Sequence, residues 1–130
     1  MQDFLDLVHG TTSVHLPNIL ANGLLAGTSL TNDPGLADYF SEEAVEESGG
    51  NPTLIYVRVP VSILTVDYPM LEEPILFSAQ NLPFKKESDL HSFLDKNGWP
   101  TPDQWEVSLE LGGAVKTTAP ISPTQIISIE

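Results

Sequence analysis

Leu5-Asp6-Leu7-Val8-His9-Gly10-Thr11-Thr12 decides how the rest of this chain is read. Leu5–His9 reads as an apolar strand that delivers a histidine into the small-residue turn Gly10-Thr11-Thr12. Behind it, Leu16, Ile19 and Leu20 recur at helical spacing up to Gly23, with Ser13 as the expected N-cap and Gly23 as the C-terminal stop. Pro17 fits such a helix only in its first turn, where no amide hydrogen bond is lost. A hydroxyl-rich stretch, Thr28-Ser29-Leu30-Thr31-Asn32, then leads to Asp33-Pro34. An acid followed by proline is a helix start, and Leu36, Phe40 and Ala44 share one face of this second helix, with Tyr39 beside them. Thr31 and Asn32 are expected to cap it.

Ser48-Gly49-Gly50-Asn51-Pro52 breaks the second helix, and Thr53–Pro60 is the clearest strand, β-branched and aromatic. Ile63–Val66 extends the sheet. Residues 67–86, interrupted by Pro69, Pro74 and Pro83, read as an irregular excursion. Ser88–Asn97 is expected as a helix capped by Ser88 and closed by Gly98, and Trp105–Leu111, Ala114–Thr118 and Ile126–Ile129 as closing strands. The expected fold is α+β, a single domain over residues 1–130 with a predominantly antiparallel sheet and short helices.

Composition narrows the function. Hydrophobic residues make up 41% of the 130, enough for one core and too few residues for two. There is no cysteine, so disulfide frameworks and thiolate metal sites are excluded. His9, His15 and His91 lack zinc-site spacing, and no metal is expected. No basic segment leads into an apolar run and no apolar stretch approaches ~20 residues, so neither a signal peptide nor a membrane span is expected and the cytoplasm is the expected compartment. Five basic residues against eighteen acidic ones leave a net charge of −13, a field that repels nucleic-acid backbones; it either keeps a small protein soluble, the commoner explanation, or recruits a protein partner, a basic one or a nucleic-acid binder whose ligand it mimics. Glu42, Glu43, Glu46 and Glu47 form the densest acidic patch, read as a solvated face in the half of the helix where the dipole disfavours negative charge.

His9 and Gly10 are the first candidates for a site. Imidazole offers a donor and an acceptor edge to a sugar hydroxyl. Glycine lets a ligand reach the main-chain N–H and C=O, which together read a carboxamide. The order strand, His9-Gly10-Thr11-Thr12, helix, Gly23-Leu24, Leu30-Thr31-Asn32-Asp33-Pro34, Ala37-Asp38-Tyr39 resembles the N-terminal half of the ADP-ribosyltransferase fold of the diphtheria-toxin and poly(ADP-ribose) polymerase type. The resemblance covers about the first sixty residues and, loosely, the last twenty.

That resemblance implies a domain of split antiparallel sheets with short helices that uses NAD⁺ as substrate and transfers ADP-ribose to a macromolecule, here a protein. It implies that His9 holds a ribose, Gly10 reads the nicotinamide amide and Tyr39 stacks on the nicotinamide ring. Thr11, Thr12 and Ser29 join this ligand-binding set; Thr28-Ser29 stand where the family usually carries an aromatic. The family's third motif usually supplies a glutamate that stabilises the oxocarbenium-like state. Anchoring on Ile121–Ile126 puts Lys116-Thr117 in that position, and the nearest acids are Glu106 and Glu110, expected on one face of the strand Trp105–Leu111. Either the catalytic acid has moved to Glu110 or Glu106, or the pocket binds NAD⁺ or ADP-ribose without transfer and the protein acts through its acidic surface; plain NAD⁺ hydrolysis is a third possibility. RNA 2′-phosphotransferases share a similar His-Gly-Thr motif but rely on several arginines, and this chain has only Arg58.

Overall fold

The structure is a computed structural model that describes residues 3–73 and 87–130. In chain order it comprises β1 (Phe4–Thr12), α1 (Leu16–Asn22), β2 (Ser29–Thr31), α2 (Pro34–Ser48), β3 (Pro52–Pro60), β4 (Leu64–Val66), α3 (Tyr68–Glu72), α4 (Glu87–Asn97), α5 (Trp105–Gly112), β5 (Ala114–Thr117) and β6 (Ile126–Ile129). The described strands form one antiparallel sheet ordered β4-β5-β2-β1-β3-β6, and the class is α+β.

The sheet is continuous but pinched. β1 pairs with β3 along its whole length, from Phe4 opposite Pro60 to Thr12 opposite Pro52. Its pairing with β2 is registered only at Val8 opposite Thr31. Two three-stranded halves, β4-β5-β2 and β1-β3-β6, therefore meet at one rung, and His9 comes immediately after it. The split sheets that the resemblance implies are not separate here: the described strands make one six-stranded sheet.

The clearest strand alternates as a strand should: Thr53, Ile55, Val57 and Val59 are buried on one face of β3. Ile55, Val57 and Val59 join Leu7, Leu30, Val115 and Ile121 in the main core. α2 lies against β1 and β3 and buries Leu36, Ala37 and Ser41. Its start is as expected, with Asp33 accepting from the amides of Gly35 at 2.8 Å and Leu36 at 3.3 Å and with Pro34 in the first turn. Thr31 also supports this entrance, its hydroxyl accepting from the Asp33 amide at 2.9 Å.

Three expectations are corrected. Gly10-Thr11-Thr12 is not a turn but the end of β1, held there by Leu54, Thr53 and Pro52 across the ladder. Thr12, not Ser13, caps the short 3₁₀ turn Ser13–His15, while the Ser13 hydroxyl accepts from the Asn51 amide at 2.9 Å. Trp105–Leu111 is not a strand: it forms helix α5. The alternation of Trp105, Val107, Leu109 and Leu111 imitates a strand, but Ser108 and Gly112 are the positions buried, with Trp105 and Leu109 packed beside them. That is a helical stripe, begun by Glu106 in the dipole-favoured first turn and ended by left-handed Gly113.

Pro17 does sit in the first turn of α1, and Gly23, at φ 79°, ends that helix. α4 begins at Glu87, which puts Ser88 inside the helix, and Gly98 comes after its end at φ 93°. Of the segment read as irregular, Asp67 caps α3 and residues 74–86 lie outside the described residues.

Candidate functional site

His9 stands just past the rung that joins the half-sheets. Its Nδ1 lies 3.2 Å from the Ser29 carbonyl oxygen. A carbonyl can only accept, so Nδ1 carries the proton and Nε2 presents a lone pair. Burial lowers the imidazole's pKa below its ordinary 6.5, against the opposing effect of the Ser29 hydrogen bond, with the nearby His15 adding to the lowering. The ring is therefore neutral at pH 7, an acceptor at Nε2 with no hydrogen bond among the described residues.

Two recesses flank this imidazole. The first, about 300 Å³, is lined by His9, Gly10 and Ser29 on the sheet side and by Phe40, Glu43, Ala44 and Glu47 of α2. The second, about 220 Å³, lies toward α1, where Thr11, His15, Asn18 and Thr28 supply its polar lining. Among the described residues no lysine or arginine lines either one.

Gly10 sets the depth of the first recess. A β-carbon there would stand 2.2 Å from the Ala37 carbonyl oxygen and 2.9 Å from the Ser41 nitrogen. Only glycine lets the backbone of α2 approach β1 this closely, and that approach fixes which face of α2 looks into the cleft.

The other residues expected at the site are spread more widely. Ser29 lines the first recess through β2, and its hydroxyl donates to Oδ2 of the buried Asp67 at 3.0 Å. Asp67 in turn is tied through its amide to the Ser108 hydroxyl at 2.9 Å, and Ser108 donates to the Ala114 carbonyl at 2.7 Å. This buried chain fastens β2, α3, α5 and β5 together behind the cleft. Thr11 lines the second recess. Thr12 is fully buried and donates to the Gly49 carbonyl, closing the loop after α2.

Tyr39 is half-buried one position from the recess-lining stripe. Its hydroxyl donates to Glu43 Oε1 at 3.1 Å, and its ring meets Phe40 edge-on at 6.2 Å and 67°. The hydrogen bond to Glu43 is the main reason its phenol pKa is raised. Phe40 is the aromatic that lines the recess itself.

Glu106 and Glu110, one helical turn apart on α5, line a different recess of about 390 Å³ with Leu5, Asn32, Trp105 and Leu109. It shares no lining residue with the two at His9. Lys116 lies directly across from Ser29 in the β2–β5 ladder. The carboxylates that line the His9 recess, Glu43 and Glu47, belong to the patch read from sequence as a solvated face, and both are exposed. Their i, i+4 spacing and the in-line position of Phe40 and Ala44 were the available signal. Among the described residues no group of three or more His, Asp or Glu side chains is arranged to hold a metal ion, and no helix is long and apolar enough to cross a membrane. The chain matches no protein-family model and no curated protein sequence.

Proposed function

We propose that this chain is a cytoplasmic ADP-ribosyltransferase-like domain that binds NAD⁺ in the divide between its half-sheets and transfers ADP-ribose to a protein. One observation carries the reading: a neutral histidine with a free acceptor nitrogen stands between two recesses, next to a glycine that lines one of them. A dinucleotide has this shape, two flat ends joined through riboses. His9 Nε2 takes a ribose hydroxyl, and Gly10 pairs through its main chain with the carboxamide of a ring in the α2-side recess. The adenosine half occupies the α1-side recess, against Thr11, Asn18 and Thr28. The acidic surface favours a protein acceptor over nucleic acid.

A second reading rests on the placement of Glu106 and Glu110 away from His9, with Lys116 across from Ser29. On that reading the domain binds NAD⁺ or ADP-ribose without transfer and acts through its surface. Nicotinamide release from NAD⁺, followed by mass spectrometry with and without cell lysate, separates the two. Release that His9→Ala abolishes, with lysate proteins gaining ADP-ribose, supports transfer; release without modification indicates hydrolysis. Binding without release supports the module, and neither binding nor release defeats both readings.

A further inference from the structure

Asp67 is a carboxylate in surroundings that do little to hold one. It is 1% exposed, and among the described residues no basic side chain pairs with it. A carboxylate taken out of water needs hydrogen-bond donors. Those it has are the Met70 amide, 3.4 Å from Oδ1, and the Ser29 hydroxyl, 3.0 Å from Oδ2. The first contact caps α3, a task that asparagine performs as well as aspartate. The second is where the carboxylate differs. Its oxygens accept, so the Ser29 proton points at Asp67, whereas a carboxamide would donate and turn the hydroxyl round. Ser29 is also the residue whose carbonyl receives the Nδ1 proton of His9 at 3.2 Å. It stands beyond Thr31, where the registered pairing of β2 with β1 ends, so the His9 contact spans the opening between the half-sheets. From behind, Ser29 is held by Lys116 across the β2–β5 ladder and by Asp67, which is itself tied through its amide to Ser108 at 2.9 Å.

We propose that Asp67 is a positioning residue for His9. By taking the Ser29 hydroxyl proton it fixes the free end of β2, so that the Ser29 carbonyl meets Nδ1 and selects the tautomer that leaves Nε2 as an acceptor. A neutral imidazole carries its ring proton on one nitrogen or the other. With the proton on Nε2, the Nδ1 lone pair would face the carbonyl oxygen and the ring would turn away. The proposal rests on the NAD⁺ reading for its use, not for its geometry: where Nε2 takes a ribose hydroxyl, affinity follows the fraction of His9 in the Nδ1-protonated form.

Long-range proton–nitrogen correlation spectra of the isotopically labelled full chain show which ring nitrogen carries the proton, and His9→Gln assigns the signals. Above the ordinary imidazole range of pH, wild-type His9 should be protonated at Nδ1 alone. Asp67→Asn and Ser29→Ala, each folded by circular dichroism, should give a mixture of both tautomers. Ser29→Thr, which keeps the hydroxyl, should retain the wild-type pattern. Damage to α3 would show instead at His91, whose Nε2 lies 3.1 Å from the Leu71 carbonyl oxygen; its signals should stay in place. NAD⁺ affinity by titration calorimetry should fall by the factor that depletes the Nδ1 form, about twofold for an even mixture. A folded Asp67→Asn or Ser29→Ala protein whose His9 keeps the Nδ1 proton overturns the proposal, as does a wild type without that preference. Where Asp67→Asn does not fold, Ser29→Ala decides, since it leaves the cap of α3 intact. Tautomers that shift as expected, in proteins that bind no NAD⁺, uphold the role of Asp67 and defeat the NAD⁺ reading.

Discussion

Replacing Gly10 with alanine tests the close approach on which the cleft depends. The new methyl carbon would lie 2.2 Å from the Ala37 carbonyl oxygen, 2.9 Å from the Ser41 nitrogen and 3.1 Å from the Phe40 β-carbon. The first two are helix backbone, which cannot rotate aside as a side chain would. Restoring ordinary contact requires α2 to retreat by about 1 Å, and close-packed interiors resist such a shift. Leu36 and Ala37, both fully buried, would lose contact with the sheet, and a gap of about 0.5–1 Å forfeits a quarter to a half of each dispersion well. The cost should reach the upper end for overpacking, about 3 kcal/mol, which lowers the melting temperature by about 10 °C in a domain of this size. Urea denaturation monitored by circular dichroism measures it. Gly27→Ala is a useful comparator, because it has open space around its β-carbon and only a left-handed φ of 86° to strain; it should cost about 1–2 kcal/mol. A Gly10→Ala protein within about 0.5 kcal/mol of wild type, the range of ordinary surface substitutions, would refute the idea that glycine sets the helix–strand distance.

Thr117→Val should be neutral or stabilising by about 1 kcal/mol in the same denaturation assay, because the buried Thr117 hydroxyl has no hydrogen-bond partner among the described residues. Ser108→Ala should instead lose about 1–3 kcal/mol, since it strips the Asp67 amide of its acceptor and the Ala114 carbonyl of a donor in a fully buried place. The half-buried, neutral His9 predicts a pH dependence. Its folded-state pKa lies below the ordinary 6.5, so between the two values the unfolded chain holds the extra proton. Stability should decline as pH falls below about 6.5 and level off under the folded-state pKa. His9→Gln should flatten that segment of the pH–stability curve, and an unchanged slope would show that another group is responsible.

Elements whose signals are local were legible in the sequence. Asp33-Pro34 fixed the start of α2, Gly23 and Gly98 marked helix ends, and the β-branched run at 53–60 placed β3. The failures came where tertiary context overrules local pattern. Gly10-Thr11-Thr12 has turn-like composition, but the partner strand Pro52–Leu54 holds it extended. Trp105–Leu111 alternates like a strand, yet the positions that pack recur at helical spacing and Gly113 supplies the terminal left-handed residue. Short apolar alternations are compatible with both periods. The same ambiguity shaped the expectation for Glu106 and Glu110: i and i+4 share a side of either element, so they stay together, but on a helix that turns them away from His9.

The candidate site divides along the same line. His9 and Gly10 were readable because their chemistry is carried by adjacent residues on one strand. Glu43 and Glu47 were readable as exposed, but not as bordering the recess, since which residues a helix brings beside a cleft depends on its rotation against the sheet, and here that rotation is fixed by the contact of Gly10 with Ala37 and Ser41. On the NAD⁺ reading the resulting charge distribution also orients the ligand. A chain of net charge −13 opposes a diphosphate, yet among the described residues the carboxylates that line the recesses at His9 belong to the α2-side one; the polar lining of the α1-side recess is imidazole, amide and hydroxyl. Ring toward Glu43 and Glu47, diphosphate toward His15, Asn18 and Thr28, is the arrangement that pairs the positive end with the acids and keeps the negative centre away from them. The reverse arrangement places like charges together at the recess where they are least compensated.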